Sequence, residues 1–451
     1  MRKDRQAHNR ARRRPITEQV NSYARSQLPV SYRTSKRGNV VTQTENKHNQ
    51  FYPVLFRAAV PPDLLSVASH DNKNWPMYFH LILTDDCNLC CRYCRAKAFE
   101  EEDAEGIDTV PVEIDGDLPP DLSYDPELLY RFLARDPSPT VTFYGGEPLM
   151  RSDLVERIIR EAPVQRFMIQ TNGLLLDRLP SYIVNRFSTI LVSLDGREAL
   201  TDENRGIGVF SRVMANMKKI RANGYHGELI ARMTVTERTE IFDAVRYLAE
   251  NTDYSFSSIH WQMDANFTGD FSHRTFAEWA EKKYNPGIRA LVTAWVDEME
   301  TSSRVLCWYP FIDPVEDLLN GRASPLRCGA GHANYAIMTD GHIAPCPIMI
   351  GMKQYYLGHI ADADPQHLRR IPVGGECEAC HIRTFCGGRC LYSSIVQPWN
   401  LAGRQLVCGT VENLRDALTG ELPRIRALIA ARRISLADFA HEKFNGCEII
   451  P

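Results

Sequence analysis

No stretch of this chain approaches the roughly 18 to 20 consecutive apolar residues needed to cross a bilayer, which argues against an integral membrane protein. No apolar segment follows the basic opening MRKDRQAHNRARRRP, as a secretory signal would require. Without export, 13 cysteines do not read as a disulfide framework. They read as metal ligands or reactive thiols in a reducing compartment, and the cytoplasm is the expected location. A strong excess of one charge is also missing, the net charge being -3, but the balance is uneven. Residues 1–76 carry 14 Lys and Arg against 5 Asp and Glu, and the remainder carries 39 against 51. The basic segment lacks a sustained hydrophobic period and reads as a disordered extension. Binding to nucleic acid or a membrane surface, and translation from Met77, are the alternatives.

From Met77 onward short apolar runs of strand type alternate with segments of helical period. Strands are expected at 78–84, 139–144, 166–171, 189–194, 228–235 and 257–263, with both faces apolar. Between them Leu154, Val155, Ile158 and Ile159 share one helical face, and Phe210, Val213, Met214 and Met217 share another. Six such repeats imply a parallel sheet wrapped by helices, either a partial barrel or an open doubly wound sheet, with its site at the strand C-terminal ends. At those ends stand DDCNLCCRYC, YGGEP, QTNG and SLDG. Any one of these could merely close a turn; four after consecutive strands point to a site.

Cys87, Cys91 and Cys94 form C-x3-C-x2-C, a spacing that lets three thiolates converge on a soft-metal centre. Three ligands on a four-iron cube leave one iron open. Zinc is the alternative, yet structural zinc wants four protein ligands, and only Cys90, in the variable interval, lies nearby. The pattern CNLCCRYC, with Tyr93 before the last cysteine, and Gly145-Gly146-Glu147-Pro148 after the next strand resemble the radical S-adenosylmethionine enzymes. That resemblance implies a partial (β/α)6 TIM-like barrel. It implies an activating 4Fe-4S cluster that chelates S-adenosyl-L-methionine and, when reduced, cleaves it to a 5'-deoxyadenosyl radical. It further implies that Gly145, Gly146, Glu147 and Pro148 receive the methionine amino group and that Tyr93 lies near the adenine. Ser193 and Asp195 would contact ribose or methionine, and Arg232 the carboxylate.

Cys328, Gly341 and Cys346, followed by Cys377-x2-Cys380-x5-Cys386-x3-Cys390 and Cys408, exceed one four-ligand site, so two metal centres are the economical solution. A pair of zinc knuckles is the alternative. The array resembles the SPASM extension of radical enzymes that modify peptides and proteins. By that resemblance Cys377, Cys380, Cys386 and Cys408 hold one auxiliary cluster, and Cys328, Cys346 and Cys390 the other. Cys307 could close the second cluster; left open, its free iron could bind a substrate group. The two resemblances cover about residues 77–410, and archaeal peptide-modifying members are the nearest in architecture. The expected domains are the extension 1–76, a barrel 77–305, an auxiliary-cluster domain 306–410 and a helical tail 411–451.

The implied activity is hydrogen abstraction from a separately encoded peptide or protein, installing a crosslink, a thioether or a dehydrogenation, with ferredoxin or flavodoxin as electron donor under anaerobic conditions. A small-molecule dehydrogenase and a non-enzymatic iron-sulfur electron carrier are the rivals. In sulfatase-maturating members an Asp base follows the second SPASM cysteine; here Pro347 stands there, which puts formylglycine formation in doubt. Asp264, just after the sixth strand, is the candidate base in its place. Residues 100–127 carry 12 carboxylates and no Lys or Arg, and are expected over the barrel mouth, either as a solvated loop or as a docking surface for a basic leader peptide.

Overall fold

The computed structural model describes residues 76–94, 112–264, 274–396 and 399–445, all within one compact unit, Lys73–Pro451. The basic extension up to residue 75, residues 100–111 of the acidic stretch, and Cys447 lie outside the described residues. Six strands form where the apolar runs place them: β1 (Tyr78–Ile82), β2 (Thr140–Tyr144), β3 (Arg166–Thr171), β4 (Phe187–Ser193), β5 (Glu228–Val235) and β6 (Ser258–Met263). Each pairs in parallel with the next. The longer intervening helices are α1 (Pro126–Leu133), α2 (Ser152–Glu161), α3 (Glu198–Arg205), α4 (Val209–Ala222) and α5 (Ile241–Glu250). α1 starts where Asp125 accepts a hydrogen bond from the Glu127 amide and Pro126 takes the first helical position. α2 buries the four apolar residues of its expected face, and α4 buries Phe210, Val213, Met214 and Met217.

The two faces of the sheet differ, which corrects the expectation that both are apolar. Phe79, Leu81, Val141, Phe143, Phe167 and Ile169 join the helices in the main core. The opposite, inner face changes character along the strands. Its lower part is an apolar floor of Tyr78, Met168, Leu191, Ile230, Tyr309, Ala333 and Phe444. Its upper part is polar, with His80 in register beside Thr142, and Arg232 between Ser193 and His260. His80 Nδ1 donates to Asn334 Oδ1 there at 2.8 Å.

After α6 (Asn285–Ser302) the chain adds β7 (Cys307–Trp308) beside β6, and α7 (Tyr309–Asn320). It then returns to the other edge as β8 (Asn334–Ile337), parallel to β1, and the hairpin strand β9 (Ile343–Ala344). The result is one open nine-stranded sheet in the order β7-β6-β5-β4-β3-β2-β1-β8-β9. The sheet therefore runs from the barrel into the cysteine-rich region without a break. α8 (Leu401–Ala430) lies along α6, with Arg424 reaching Asp297 at 2.7 Å and Glu300 at 2.9 Å. None of the described helices is long and apolar enough to cross a membrane.

A strap of residues 440–445 closes the floor. Glu442 accepts from the Tyr78 hydroxyl and from Arg166 at 2.8 Å, and Asn445 Nδ2 donates to the Tyr309 hydroxyl at 2.8 Å. The described part of the acidic stretch is also fastened. Residues 113–123 hydrogen-bond Leu83, Thr339, Gly351 and Lys353, and Asp121 pairs with Arg151 at 3.0 Å.

Candidate active site

The C-terminal ends of β1 to β4 converge on the cysteine loop, and the glycine pair after β2 sets how closely they approach. Gly145 has φ +138°, and a Cβ on it would sit 2.3 Å from the Thr84 carbonyl oxygen. A Cβ on Gly146 would lie 2.4 Å from the Asp86 carbonyl oxygen and 2.5 Å from that of Asp85. Only a residue without Cβ lets this turn press against the loop backbone. The contact is sealed by hydrogen bonds of 2.8 Å from Gly146 N to Thr84 O and from Glu147 N to Asp86 O. Pro148 then opens a short 3-10 turn. The Glu147 carboxylate, 1% exposed, accepts from Thr171 Oγ1 (2.7 Å), Leu149 N (3.0 Å) and Asn172 N (2.7 Å). Burial raises its pKa, and these three donors oppose the rise.

Asn172 carries the connection into the cysteine loop. Its Nδ2 donates to Asn88 Oδ1 at 2.7 Å and faces Cys87 Sγ at 3.9 Å, while Leu89 N donates to the same sulfur at 3.4 Å. At the other end of the loop the Tyr93 hydroxyl donates to Asp195 Oδ2 at 2.7 Å. Burial pushes the Cys91 thiol up to about 11; the Arg205 guanidinium opposes this, and the thiolates of Cys94 and Cys87 add to it. The three sulfurs of the motif thus feel one another. Cys90 is exposed.

Asp195, expected to contact ribose or methionine, lies just past β4. It is fully buried, and both of its oxygens are taken by protein donors, chiefly Arg205 at 2.9 and 3.1 Å. Ser193 lies one strand over from Arg232, in register with it. Arg232 donates to Gln262 Oε1 at 2.9 Å, and its NH1 lies 3.0 Å from His260 Nδ1. Asp264 follows β6, with Arg274 at 3.8 Å from its carboxylate. Sequence reasoning missed Arg205, His80, His260 and Gln262, and only Asn172 lay within a quoted motif.

The C-terminal cysteines fall into two neighbourhoods. Cys346 is raised by burial first and then by the thiolates of Cys390 and Cys328. Cys408, in the second turn of α8, is pushed up to about 11 by burial, with Cys386, Cys377 and Cys380 adding and Arg389 opposing. Among the described residues no three of these sulfurs lie within 4.8 Å of one another. Cys307 stands on β7 with Sγ 3.9 Å from Glu228 Oε1. Arg327 binds the two neighbourhoods together: beside Cys328, it donates to the Phe385 carbonyl at 2.6 and 3.0 Å and to Asp317 at 2.9 Å. Asp313, Glu316 and His441 also gather near α7, but Arg327 and Lys443 pair with their carboxylates.

Residues 81–243 match the radical SAM superfamily. This part of the chain is a radical SAM domain, and members of that superfamily bind a 4Fe-4S cluster and S-adenosylmethionine. It is 24% identical over 325 residues to an uncharacterized protein of Archaeoglobus fulgidus, covering 68% of this chain and 72% of that one. Fe-coproporphyrin III synthase of Methanosarcina barkeri is 31% identical over 169 residues, which cover 36% of this chain and 39% of the relative. The 7,8-dihydro-6-hydroxymethylpterin dimethyltransferase of Methanocaldococcus jannaschii is 25% identical over 225 residues, 46% of this chain and 40% of the relative. The chain thus spans about two fifths of the length of these two named relatives. Among solved structures, a histidine-tagged anSMEcpe with bound AdoMet superposes with a TM-score of 0.58 at 17% identity, covering 80% of this chain and all of that one. Native anSMEcpe with bound AdoMet and a Cp18Cys peptide gives 0.57 at 17%, covering 79% and 99%. At this identity the likeness shows the fold.

Proposed function

We propose that this enzyme abstracts hydrogen from a residue of a peptide or protein and passes the resulting electron to auxiliary clusters. The observation that carries the reading is Tyr144, at the end of β2. Burial raises its phenol, Arg232 opposes, and the thiolates of both Cys94 and Cys346 add to the rise. One side chain of the inner face therefore stands near both the activating loop and the nearer auxiliary site. A substrate above Tyr144 would lie between the two. Bound at Cys87, Cys91 and Cys94, the reduced cluster would supply the electron that cleaves S-adenosylmethionine and releases the hydrogen-abstracting radical.

The chain's own residues hold and shield the reactants. The Gly145–Pro148 turn would offer backbone acceptors to the methionine amino group, with Glu147 behind it, and Arg232 would meet the carboxylate. Tyr93 would flank the adenine and Ser193 the ribose. Cys377, Cys380, Cys386 and Cys408 would hold one auxiliary cluster, and Cys328, Cys346 and Cys390 the other. Asp264 is the candidate base for the proton that an oxidation releases. A bound peptide in the anSMEcpe structure is consistent with a peptide substrate here. Reduced ferredoxin or flavodoxin would be the donor.

A small-molecule substrate is the second reading, favoured by the names of the two partly matching relatives. Anaerobic reconstitution tests the proposal. The wild type should bind about twelve irons per chain and form 5'-deoxyadenosine with S-adenosylmethionine and dithionite. The Cys87, Cys91, Cys94 triple Ala variant should keep about eight and form none. A reconstituted wild type that never yields 5'-deoxyadenosine would sink the reading. Turnover of a tetrapyrrole or pterin, with none of any peptide encoded beside the gene, would favour the second.

A further inference from the structure

We propose that Arg205 and Asp195 form a clamp that fixes the second half of the cysteine loop. The inference rests on the reading of Cys87, Cys91 and Cys94 as the activating-cluster ligands. Arg205 lies at the end of α3 and Asp195 just past β4, exposed by 7% and 0%. Five donors converge on the carboxylate. Oδ2 accepts from Tyr93 OH (2.7 Å), Asn204 Nδ2 (3.2 Å) and Arg205 Nε (3.1 Å); Oδ1 accepts from Arg205 NH2 (2.9 Å) and Thr234 N (3.1 Å). Two carboxylate oxygens offer about four lone-pair sites, so no acceptor is left over for a ligand hydroxyl. A second tie runs beside the first, from Arg92 N to the Asn204 carbonyl at 2.9 Å.

The first half of the loop is held separately, by the Gly146 and Glu147 amides and by Asn172. The loop is therefore anchored at both ends by different strands. At the Tyr93 end the anchor is a charged pair, and the guanidinium also lies over the Tyr93 ring at 5.3 Å from its centroid. Removing water from such a pair is costly unless every lone pair is satisfied, and here all are. Asp195, expected as a cofactor contact, becomes a positioning residue, and Arg205 acts through it.

The full-length, iron-free chain is labelled with iodoacetamide under native conditions and each cysteine is followed by mass spectrometry. In Arg205→Met, half-buried Cys91 should label about tenfold faster or more, since a broken buried pair loosens only what it holds. Cys87 and the C-terminal cysteines should keep wild-type rates. Arg205→Lys should label like Arg205→Met, because lysine keeps the charge and loses the fork. If Arg205→Met fails to fold, Tyr93→Phe removes one tie and should still speed labelling at Cys91. Wild-type labelling in these variants would overturn the clamp, as would equal acceleration at every cysteine. A wild-type chain that binds no iron defeats the parent reading, while the labelling contrast stands or falls by itself.

Discussion

A buried carboxylate that accepts three hydrogen bonds cannot become an amide without turning an acceptor into a donor. Glu147 is in this position, with Thr171, Leu149 and Asn172 as its donors. Glu147→Gln must set an N–H against one of them, at a cost of roughly 1–3 kcal/mol. The expected outcome is a lower melting temperature and iron lost first from the activating site, because Asn172 also holds Asn88. An unchanged melting curve would show that the pocket accommodates the amide. Gly146→Ala makes a sharper case, since its Cβ would meet two backbone oxygens that cannot swing aside. That variant should keep both auxiliary signals and lose the activating one, as spin quantification would show. The cysteine spacings and the glycine pair were legible in the sequence because their chemistry is local. The roles of Asp195 and Arg205 were not, since whether a carboxylate is saturated depends on donors from Tyr93 to Thr234 that only the fold assembles.

Among the elements, the six barrel strands were legible because each is an apolar run of at least five residues between helices of clear period. β7 and β9 have two residues and β8 has four, too short for a period to stand out from a loop. The polar inner face was misread because the outer, apolar positions dominate each run; only register shows His80, Thr142 and Arg232 facing inward together. Between the late elements Arg327 is the connection with the largest expected effect. It is nearly fully buried and joins the Cys328 loop and the Phe385 carbonyl to the α7 carboxylates Asp313 and Asp317. Arg327→Met leaves those carboxylates with less compensation, which costs on the order of 3–5 kcal/mol for a broken buried pair. Both auxiliary clusters should then be lost before the activating one, as iron stoichiometry and paramagnetic resonance would reveal. Retention of all three signals at wild-type stability would mean that Lys443 and His441 suffice for Asp313.

Over the whole molecule, β1 is flanked by β2 on one side and β8 on the other, so the barrel is completed by residues far along the chain. A fragment of residues 77–305 would leave the β8 side of β1 unpaired and its inner face uncovered, a template for aggregation. It should be insoluble, whereas a chain starting at Met77 and running to the end should fold; a monodisperse, folded 77–305 fragment would refute the dependence. The same junction sets an acid limit through His80, which is 5% exposed and donates to Asn334 of β8. Burial lowers its pKa to about 4, the Asn334 bond opposes that, and the nearby Arg232 charge reinforces it. The sign follows from the neutral form being the one the fold accepts. Above pH 6.5, the ordinary histidine value, both folded and unfolded chains leave it neutral, and its contribution to stability is complete. Between pH 6.5 and about 4 the unfolded chain takes a proton that the folded chain refuses, so stability falls. The loss is about 2 kcal/mol at pH 5 and levels off near 3 kcal/mol below pH 4, where both states are protonated. Denaturant unfolding of the iron-free chain from pH 7 to pH 4.5 should show this decline. His80→Gln keeps a donor for Asn334 but cannot titrate, so it should flatten the decline by a comparable amount. If the variant has the wild-type slope, some other group governs the acid side.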